Sequence, residues 1–366
     1  MAGVELGLDD KVSIAHVLDD LGVDIIEAGF PASSNLDSRA TRIISREVYR
    51  ARVAGLARAT PRDVDAAAES EVDIIHVFIA TSDVHLRHKL AITREEALKA
   101  AVEAVERARS YGVEVLFSAE DATRSDPRYL EEVYRSVVEA GVGYINIPDT
   151  VGVMTPWRME ALVKRIRESL PGWVRVDVHC HNDFGMATVN SIAGVIGGAD
   201  GVQVTVNGFG ERGGNAALEE VVASIHFQLG YQTGVRLERL TSASRIVAER
   251  FGIKLPPNKP VVGLNAFAHE AGIHVHGVLS NPATYEPIPP EAVGNRRRIV
   301  LGRHSGRAAV EYALRQLGVK PSRGLVRHIL YRLKDVAPRM KKVDEDMIIA
   351  WVREYSVEAR PGAGEG

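Results

Sequence analysis

From residue 23 to residue 210 the chain alternates between two hydrophobic rhythms. Short continuous apolar runs, each ending in polar residues, are followed by longer stretches in which apolar positions recur every three to four residues. The runs are VDIIEAGF from 23, RVAGLAR from 52, VDIIHVFIAT from 72, VEVLFSAED from 113, GYINIPDT from 143, VRVDVHCH from 174 and GVQVTVNGFG from 201. Continuous runs, rather than alternating ones, predict strands buried on both faces, as in a parallel sheet. The stretches between them carry helix signals. TREEALKAAVEAVERARSYG sets Thr93 and Glu96 in capping-box spacing and stops at Gly112. DPRYLEEVYRSVVEAG offers Asp126 as N-cap with Pro127 in the first turn, and TPWRMEALVKRIRESLPG repeats the device with Thr155 and Pro156.

The count is seven strands and eight helices, because LGLDDKVSIAHVLDDLG at the start also reads as a helix. Strand-helix alternation builds either an open doubly wound sheet or a closed barrel. The number of units favours a (β/α)8 TIM barrel that lacks its first strand in this chain. That strand is expected ahead of Met1. After residue 235 the pattern changes to Pro-rich connectors, KLPPNKPVVG and NPATYEPIPPEAVG, around helical stretches such as SGRAAVEYALRQLG and DEDMIIAWVREYS. The expected division is a barrel over residues 1–230 and a smaller, mostly helical region over 231–366, with the tail ARPGAGEG disordered.

In such a barrel the chemistry sits at the C-terminal ends of the strands. The predicted strand ends carry Glu27, Thr81 and Ser82, Glu120 and Asp121, Asp149 and Thr150, His179 and His181, and Asn207. One polar strand end means little, but six make a loaded rim. Strand side chains alternate faces, so His179 and His181 point together while Cys180 points away. Two neutral imidazoles on one face suit a divalent metal, although they could also serve only as polar groups of a barrel mouth. The loop VNGFGERGGNAALEE, residues 206–220, has four glycines that free the backbone for close approach to a ligand, and the helix after it could attract an anion. It lacks the spacing of a dinucleotide fingerprint, so a nicotinamide cofactor is not expected. His269, His274 and His276 in FAHEAGIHVHG are ambiguous on composition, and Arg296, Arg297 and Arg298 read as a solvated face.

Composition narrows the classes. The 366 residues carry a formal net charge of −3, which gives no field for nucleic acid or an anionic membrane. The single cysteine, Cys180, excludes an internal disulfide. No apolar run reaches bilayer-spanning length and the N-terminus is not a signal peptide, so a soluble, cytoplasmic protein is expected.

Seven segments together resemble one family: EAGFPASS, FSAEDATRSD, IPDTVGVMTP, HCHNDFGMATVNS, NGFGERGGNAALEEV, FAHEAGIHVHGVL and YEPIPPEAVG. They are similar, in order and over nearly the whole chain, to the 2-isopropylmalate, homocitrate and citramalate synthases. The resemblance implies joining the acetyl group of acetyl-CoA to the keto carbon of a 2-oxo acid, with a divalent metal (Mg, Mn or Zn) as Lewis acid. It implies that His179 and His181 bind the metal and that Asn215 is a further ligand. It makes Glu120 catalytic, and places Glu27, Arg124 and Thr150 near the oxo acid. Gly208, Gly210 and Arg212 fall in a loop on the acyl-CoA side. His274 and Tyr285 match residues that the helical region contributes to catalysis, and a homodimer is implied.

One departure stands out. The family's first strand bears an L-R-D-G-E-Q-like motif that supplies an Arg and a carboxylate metal ligand, and MAGVEL matches the residues that follow it. The expectation is that the natural chain begins upstream of Met1, and that the chain as given binds metal weakly and has little activity. Pro148 in YINIPDTVG favours the 2-isopropylmalate branch. Homocitrate and citramalate synthesis are the alternatives, and a non-catalytic paralogue is the alternative of another class. An acyl-CoA lyase is disfavoured, because such relatives use a cysteine in a Gly-rich loop and Cys180 lies elsewhere.

Overall fold

A computed structural model describes residues 1–336 and 343–358. The chain forms two compact units, Met1–Leu255 and Pro256–Gly366. The first unit opens with helix α1 (Leu8–Leu21), strand β1 (Ile25–Gly29), α2 (Asn35–Glu47), β2 (Arg52–Arg58), α3 (Pro61–Glu69) and β3 (Ile74–Ala80). It continues with a short helix α4 (Asp83–His85), then α5 (Arg94–Ser110), β4 (Glu114–Glu120), α6 (Pro127–Glu139) and β5 (Tyr144–Asp149). It closes with α7 (Pro156–Ser169), β6 (Arg175–Cys180), α8 (Ala187–Ile196), β7 (Gly201–Gln203), α9 (Leu218–Phe227) and α10 (Leu240–Arg250).

All seven expected runs are strands. They pair in parallel in sequence order, β1 to β7, and among the described residues β1 and β7 are the two edges. Two of the three predicted caps form. Thr93 and Glu96 exchange bonds as a capping box, and Asp126 accepts from the amides of Arg128 and Tyr129. Thr155 stands at the N-cap of α7 but makes no side-chain bond there. The main core lies between sheet and helices and includes Val53, Val77, Phe117, Ile145 and Val176 with Val64, Val105, Leu130 and Val163.

The other sheet face holds its own small cluster: Ala54, Ile74, Leu116 and Tyr144, with Ile25 against it. Two residues further along the strands the same face turns polar. Asn146 Nδ2 donates to Ser118 Oγ (2.8 Å), Ser118 Oγ lies 2.6 Å from His76 Nε2, and His76 Nδ1 lies 2.5 Å from Glu27 Oε2. The interior is thus apolar low on the strands and polar toward their C-terminal ends.

Pro148 sits within β5. The Asp149 carbonyl accepts from the amide of His181, just past β6, so the donor that Pro148 lacks falls on the β4 side. The β4–β5 ladder correspondingly stops at Ser118–Asn146, while β5–β6 continues to Asp149–Cys180. The ends of β4 and β5 therefore run on without pairing to each other, and Glu120, paired with Ala80 of β3 on its other side, lies at that gap.

Asp19 on α1 secures the entry to β2. Its carboxylate accepts from the amides of Tyr49 (3.3 Å), Arg50 (2.9 Å) and Ala51 (2.8 Å) and is 8% exposed. Burial pushes its pKa up, but the three backbone donors outweigh this and hold it below the usual carboxylate value. A depressed carboxylate adds stability above the unfolded-state pKa and loses it as pH falls through the folded one. Asp19→Asn should cost about 1–3 kcal/mol at pH 7. The difference from wild type should shrink below pH 4, which urea melts at the two pH values would show; a gap that widens in acid would contradict the assignment.

The second unit holds a two-stranded parallel ladder, β8 (Ala268–His269) and β9 (Arg298–Ile299), with helices α11 (Gly272–Ser280), α12 (Arg307–Gln316), α13 (Arg323–Val336) and α14 (Glu345–Glu358). Its core includes Val275, Leu301, Val310, Leu314, Ile329, Leu333 and Trp351. Residues 359–366, expected to be disordered, lie outside the described residues. No described helix is long and apolar enough to cross a membrane.

Candidate active site

His179 and His181 converge. Their Nε2 atoms are 3.3 Å apart, on the face of β6 that looks into the strand-end mouth. Burial lowers the pKa of His179 to about 4, the neighbouring His181 adds to the shift, and Glu27 opposes it. Burial and then the Arg212 charge lower that of His181, against Asp183. Both rings are therefore neutral at pH 7. Two ligand nitrogens each about 2.1 Å from one ion stand close to this separation. His181 Nδ1 is buried without a protein partner. The pair fits a divalent metal, and among the described residues no third His, Cys, Asp or Glu completes a group with them.

Asn215 reaches the same point. Its Nδ2 lies 3.0 Å from His179 Nε2, so the amide nitrogen rather than the oxygen meets that lone pair. Its position is set by the glycine-rich loop. A Cβ at Gly210 would fall 1.8 Å from Asn215 Oδ1, and one at Gly208 (φ +71°) 2.9 Å from the Asn215 carbonyl. At Gly214 (φ +87°) it would fall 2.0 Å from the Gly208 carbonyl. These glycines are needed because the loop folds on itself around Asn215. The first turn of α9 beyond it carries Glu219 and Glu220, which oppose binding of an anion at that terminus.

Arg212 (φ +52°) bonds both oxygens of Asp183 (2.7 and 3.0 Å) and the Thr150 carbonyl (2.6 Å). It braces the three loops that follow β5, β6 and β7. Asn207, expected on the rim, points elsewhere: its Nδ2 donates to the Ser244 carbonyl of α10 (2.9 Å), so it is a structural tie.

A second cluster lies across the ends of β3 and β4. After α4 the chain makes one π-helical turn, Leu86–Leu90, closed by Ala91 at φ +55°. Lys89 on this turn pairs with Glu120 Oε1 at 2.5 Å, and His85 Nδ1 approaches the same oxygen at 3.6 Å. Asp121 is fully buried, at φ +64°. Its carboxylate is gripped by Arg124 Nε (2.9 and 3.0 Å) and accepts from Ser82 Oγ. The Asp121 amide donates to Thr150 Oγ1 (2.9 Å), which leaves the Thr150 hydroxyl hydrogen for another acceptor. Asp149 is buried and accepts from Thr123 Oγ1 and the amides of Val153 and Met154, so it shapes the loop.

Glu27 keeps 46% of its side chain accessible on the edge strand. Burial pushes its carboxyl up, but the His76 imidazole more than offsets this and holds it below the usual range. His76, Lys89, His85 and Gln203 join this candidate site without standing at a predicted strand end. His76 reads as the one polar residue within the apolar stretch IIHVFIA; Lys89 and His85 follow the strand and depend on a turn type with no sequence signature.

In the second unit His274 stacks on Tyr285, with ring centroids 4.1 Å apart at 20°. His269 meets Glu286 at 3.2 Å, and Arg297 grips the same carboxylate at 2.7 and 2.5 Å. Arg297 therefore belongs to a buried ion-pair group rather than to a solvated face.

Cys180 is fully buried, on the face of β6 opposite the histidines, as strand alternation predicts. Burial raises its pKa to about 12. The native thiol should therefore not react with Ellman's reagent at pH 8 and should react fully after unfolding in guanidinium; prompt reaction of folded protein would refute this placement.

A family model described as HMGL-like matches residues 1–247, and one described as homocitrate synthase post-HMGL domain-like matches residues 261–341. The probable 2-isopropylmalate synthase of Ignicoccus hospitalis is 54% identical over 94% of this chain and 86% of its own. The 2-isopropylmalate synthase of Sulfolobus acidocaldarius is 50% identical over 93% and 88%, and the (R)-citramalate synthase of Methanocaldococcus jannaschii is 47% identical over 97% and 72%. Among solved structures, the HMG-CoA lyase of Bacillus subtilis superposes with a TM-score of 0.62 at 22% identity, over 69% of this chain and 90% of that one. That likeness bears on the fold alone and agrees with the barrel reading.

Proposed function

The chain belongs to the HMGL-like family, among the 2-isopropylmalate, homocitrate and citramalate synthases, and from this premise we propose that it is a 2-isopropylmalate synthase. It is an acyltransferase that condenses acetyl-CoA with a 2-oxo acid, here 2-oxoisovalerate, and then releases the free acid from the thioester. The observation that carries the choice is the 54% identity, over 94% of the chain, to a relative of that name.

The reaction requires a base at the acetyl methyl group, donors for the oxo acid, and stabilisation of developing negative charge. A divalent metal (Mg, Mn or Zn) would supply Lewis-acid polarisation of the oxo-acid carbonyl. His179 and His181 would hold it through Nε2 as neutral imidazoles, with Asn215 beside them. Glu120 is the candidate base; Lys89 and His85 both approach its Oε1, which orients the carboxylate. Thr150 offers its hydroxyl hydrogen to the oxo-acid carboxylate, and Arg124, fixed on Asp121, adds positive charge beside it. Glu27, through His76 and Ser118, supplies a polar floor. Gly208, Gly210 and Arg212 would act on the acyl-CoA side by shaping and bracing the loop around Asn215. His274 and Tyr285 are proposed to contribute to catalysis, and the chain to act as a homodimer in the cytoplasm; light scattering tests the dimer.

The relative named (R)-citramalate synthase keeps pyruvate as the second reading. Thiol release from acetyl-CoA, measured with 2-oxoisovalerate, 2-oxoglutarate and pyruvate, should give the highest kcat/KM with 2-oxoisovalerate. A clear preference for either other acid would overturn the substrate assignment. No release with any of the three, from protein tested both as given and extended in frame upstream of Met1, would overturn the activity itself.

A further inference from the structure

The geometry points to Gln203 as a positioning residue: its side-chain oxygen holds His179 in the Nδ1–H tautomer and so keeps the Nε2 lone pair aimed into the strand-end mouth. Gln203 is the last residue of β7, paired in register with His179, and its Oε1 lies 3.2 Å from His179 Nδ1. A carbonyl oxygen only accepts, so Nδ1 must carry the proton. The far side of the ring agrees independently. Asn215 Nδ2 stands 3.0 Å from His179 Nε2, and an amide nitrogen only donates, so Nε2 must hold a lone pair. Two separate hydrogen bonds, from β7 and from the glycine-rich loop, thus specify one tautomer.

The Gln203 amide lies beside Asp177, two residues before His179 and on the same face of β6. Asp177 is 4% exposed and accepts from the Tyr144 hydroxyl at 2.8 Å. Its space comes from Gly201, where a Cβ would fall 2.2 Å from Asp177 Oδ1. Tyr144, Asp177, Gln203 and His179 therefore form a line from β5 through β6 and β7 to the imidazole. Glu27, His76, His181 and Asn215 are the other polar groups around that ring. None of them is bonded to Nδ1, so among the described residues nothing else fixes the tautomer from that side.

This inference rests on the reading of His179 and His181 as metal ligands, and the test separates the two. In metal-free protein, long-range 1H–15N NMR of the imidazoles, with His179→Asn used to assign the signal, should find His179 as Nδ1–H. Finding Nε2–H in the wild type would overturn the inference and leave the metal reading intact. Titration with Co2+, followed by its visible absorption, then compares variants. Gln203→Leu removes the acceptor and should weaken Co2+ binding about 10–100-fold, the usual effect of losing the outer partner of a metal-bound histidine. Gln203→Glu combined with Asp177→Asn keeps an acceptor oxygen toward Nδ1 and a donor at residue 177, and should restore affinity close to wild type relative to Gln203→Leu with Asp177→Asn. Unchanged affinity in Gln203→Leu, or no recovery in that double variant, would overturn the positioning role. Wild type that binds no Co2+ would overturn the metal reading instead. If Gln203→Leu does not fold, the wild-type tautomer still decides.

Discussion

His179→Ala and His181→Ala should each lower the affinity of the chain for a divalent metal by more than about a hundredfold, because outer partners of such ligands already matter by 10–100-fold. The two Nε2 atoms, 3.3 Å apart, are the convergent donors of this mouth, and either ring alone leaves the ion a single protein nitrogen. Isothermal titration with Zn2+ or Mn2+ measures the loss, and circular dichroism checks that the fold survives. The same titrations carry a pH signature. A ligand must be deprotonated to bind, and burial has already lowered the pKa of both rings, that of His179 to about 4. Wild-type affinity should therefore be nearly flat from pH 8 to pH 6.5 as far as these rings are concerned, and fall only in more acid solution. A His179→Ala protein that binds metal as tightly as wild type would end this assignment.

The second large effect is structural. Gly214→Ala should destabilise the first unit by about 3–5 kcal/mol, at the severe end for one substitution. A left-handed backbone conformation costs a non-glycine residue about 1–2 kcal/mol. The remainder comes from contact: the new methyl would lie 2.0 Å from the Gly208 carbonyl oxygen. That carbonyl cannot easily retreat, since it accepts from the Asn215 amide at 3.0 Å, and the Gly214 carbonyl is itself bound by the Asn182 amide at 2.9 Å. Gly112→Ala provides the control. Gly112 has φ +75° but no atom within 4 Å of its would-be Cβ, so only the backbone penalty applies. Thermal melts of the two variants should differ by several degrees. Equal melting temperatures would show that the loop is looser than its packing indicates.

Much of the architecture was legible because it follows from short-range patterns. All seven strands announce themselves as buried apolar runs, and Thr93, Glu96 and Asp126 cap their helices as their spacing requires. Helix α13 follows the same rule, with Leu325, Val326, Ile329 and Leu333 at helical intervals in the core. The site was legible only in part. His179 and His181 follow from strand alternation, since two residues of spacing fix a common face. Asn207 looked like a rim residue on the same logic but takes φ +62°, and that single departure from strand geometry turns its side chain toward Ser244. The glycines of residues 208–214 suggested room for a ligand, whereas their space is filled by the loop's own backbone and by Asn215. Lys89 joins Glu120 across 31 positions through a π-helical turn, a long-range pairing that no local pattern encodes.

The placement of Cys180 has a practical consequence. The chain contains one sulfhydryl, and it is sealed between strand β6 and helix α8. A cysteine introduced at an exposed position, such as Tyr49 at 89% accessibility, would be the sole thiol open to a maleimide dye or spin label in the folded protein. The sequence from Met1 to Gly366 is thus already a background for single-site labelling. Pairs of such probes, one in each compact unit, could report distances without first removing a cysteine whose neighbours in sequence are the two histidines of the strand-end mouth.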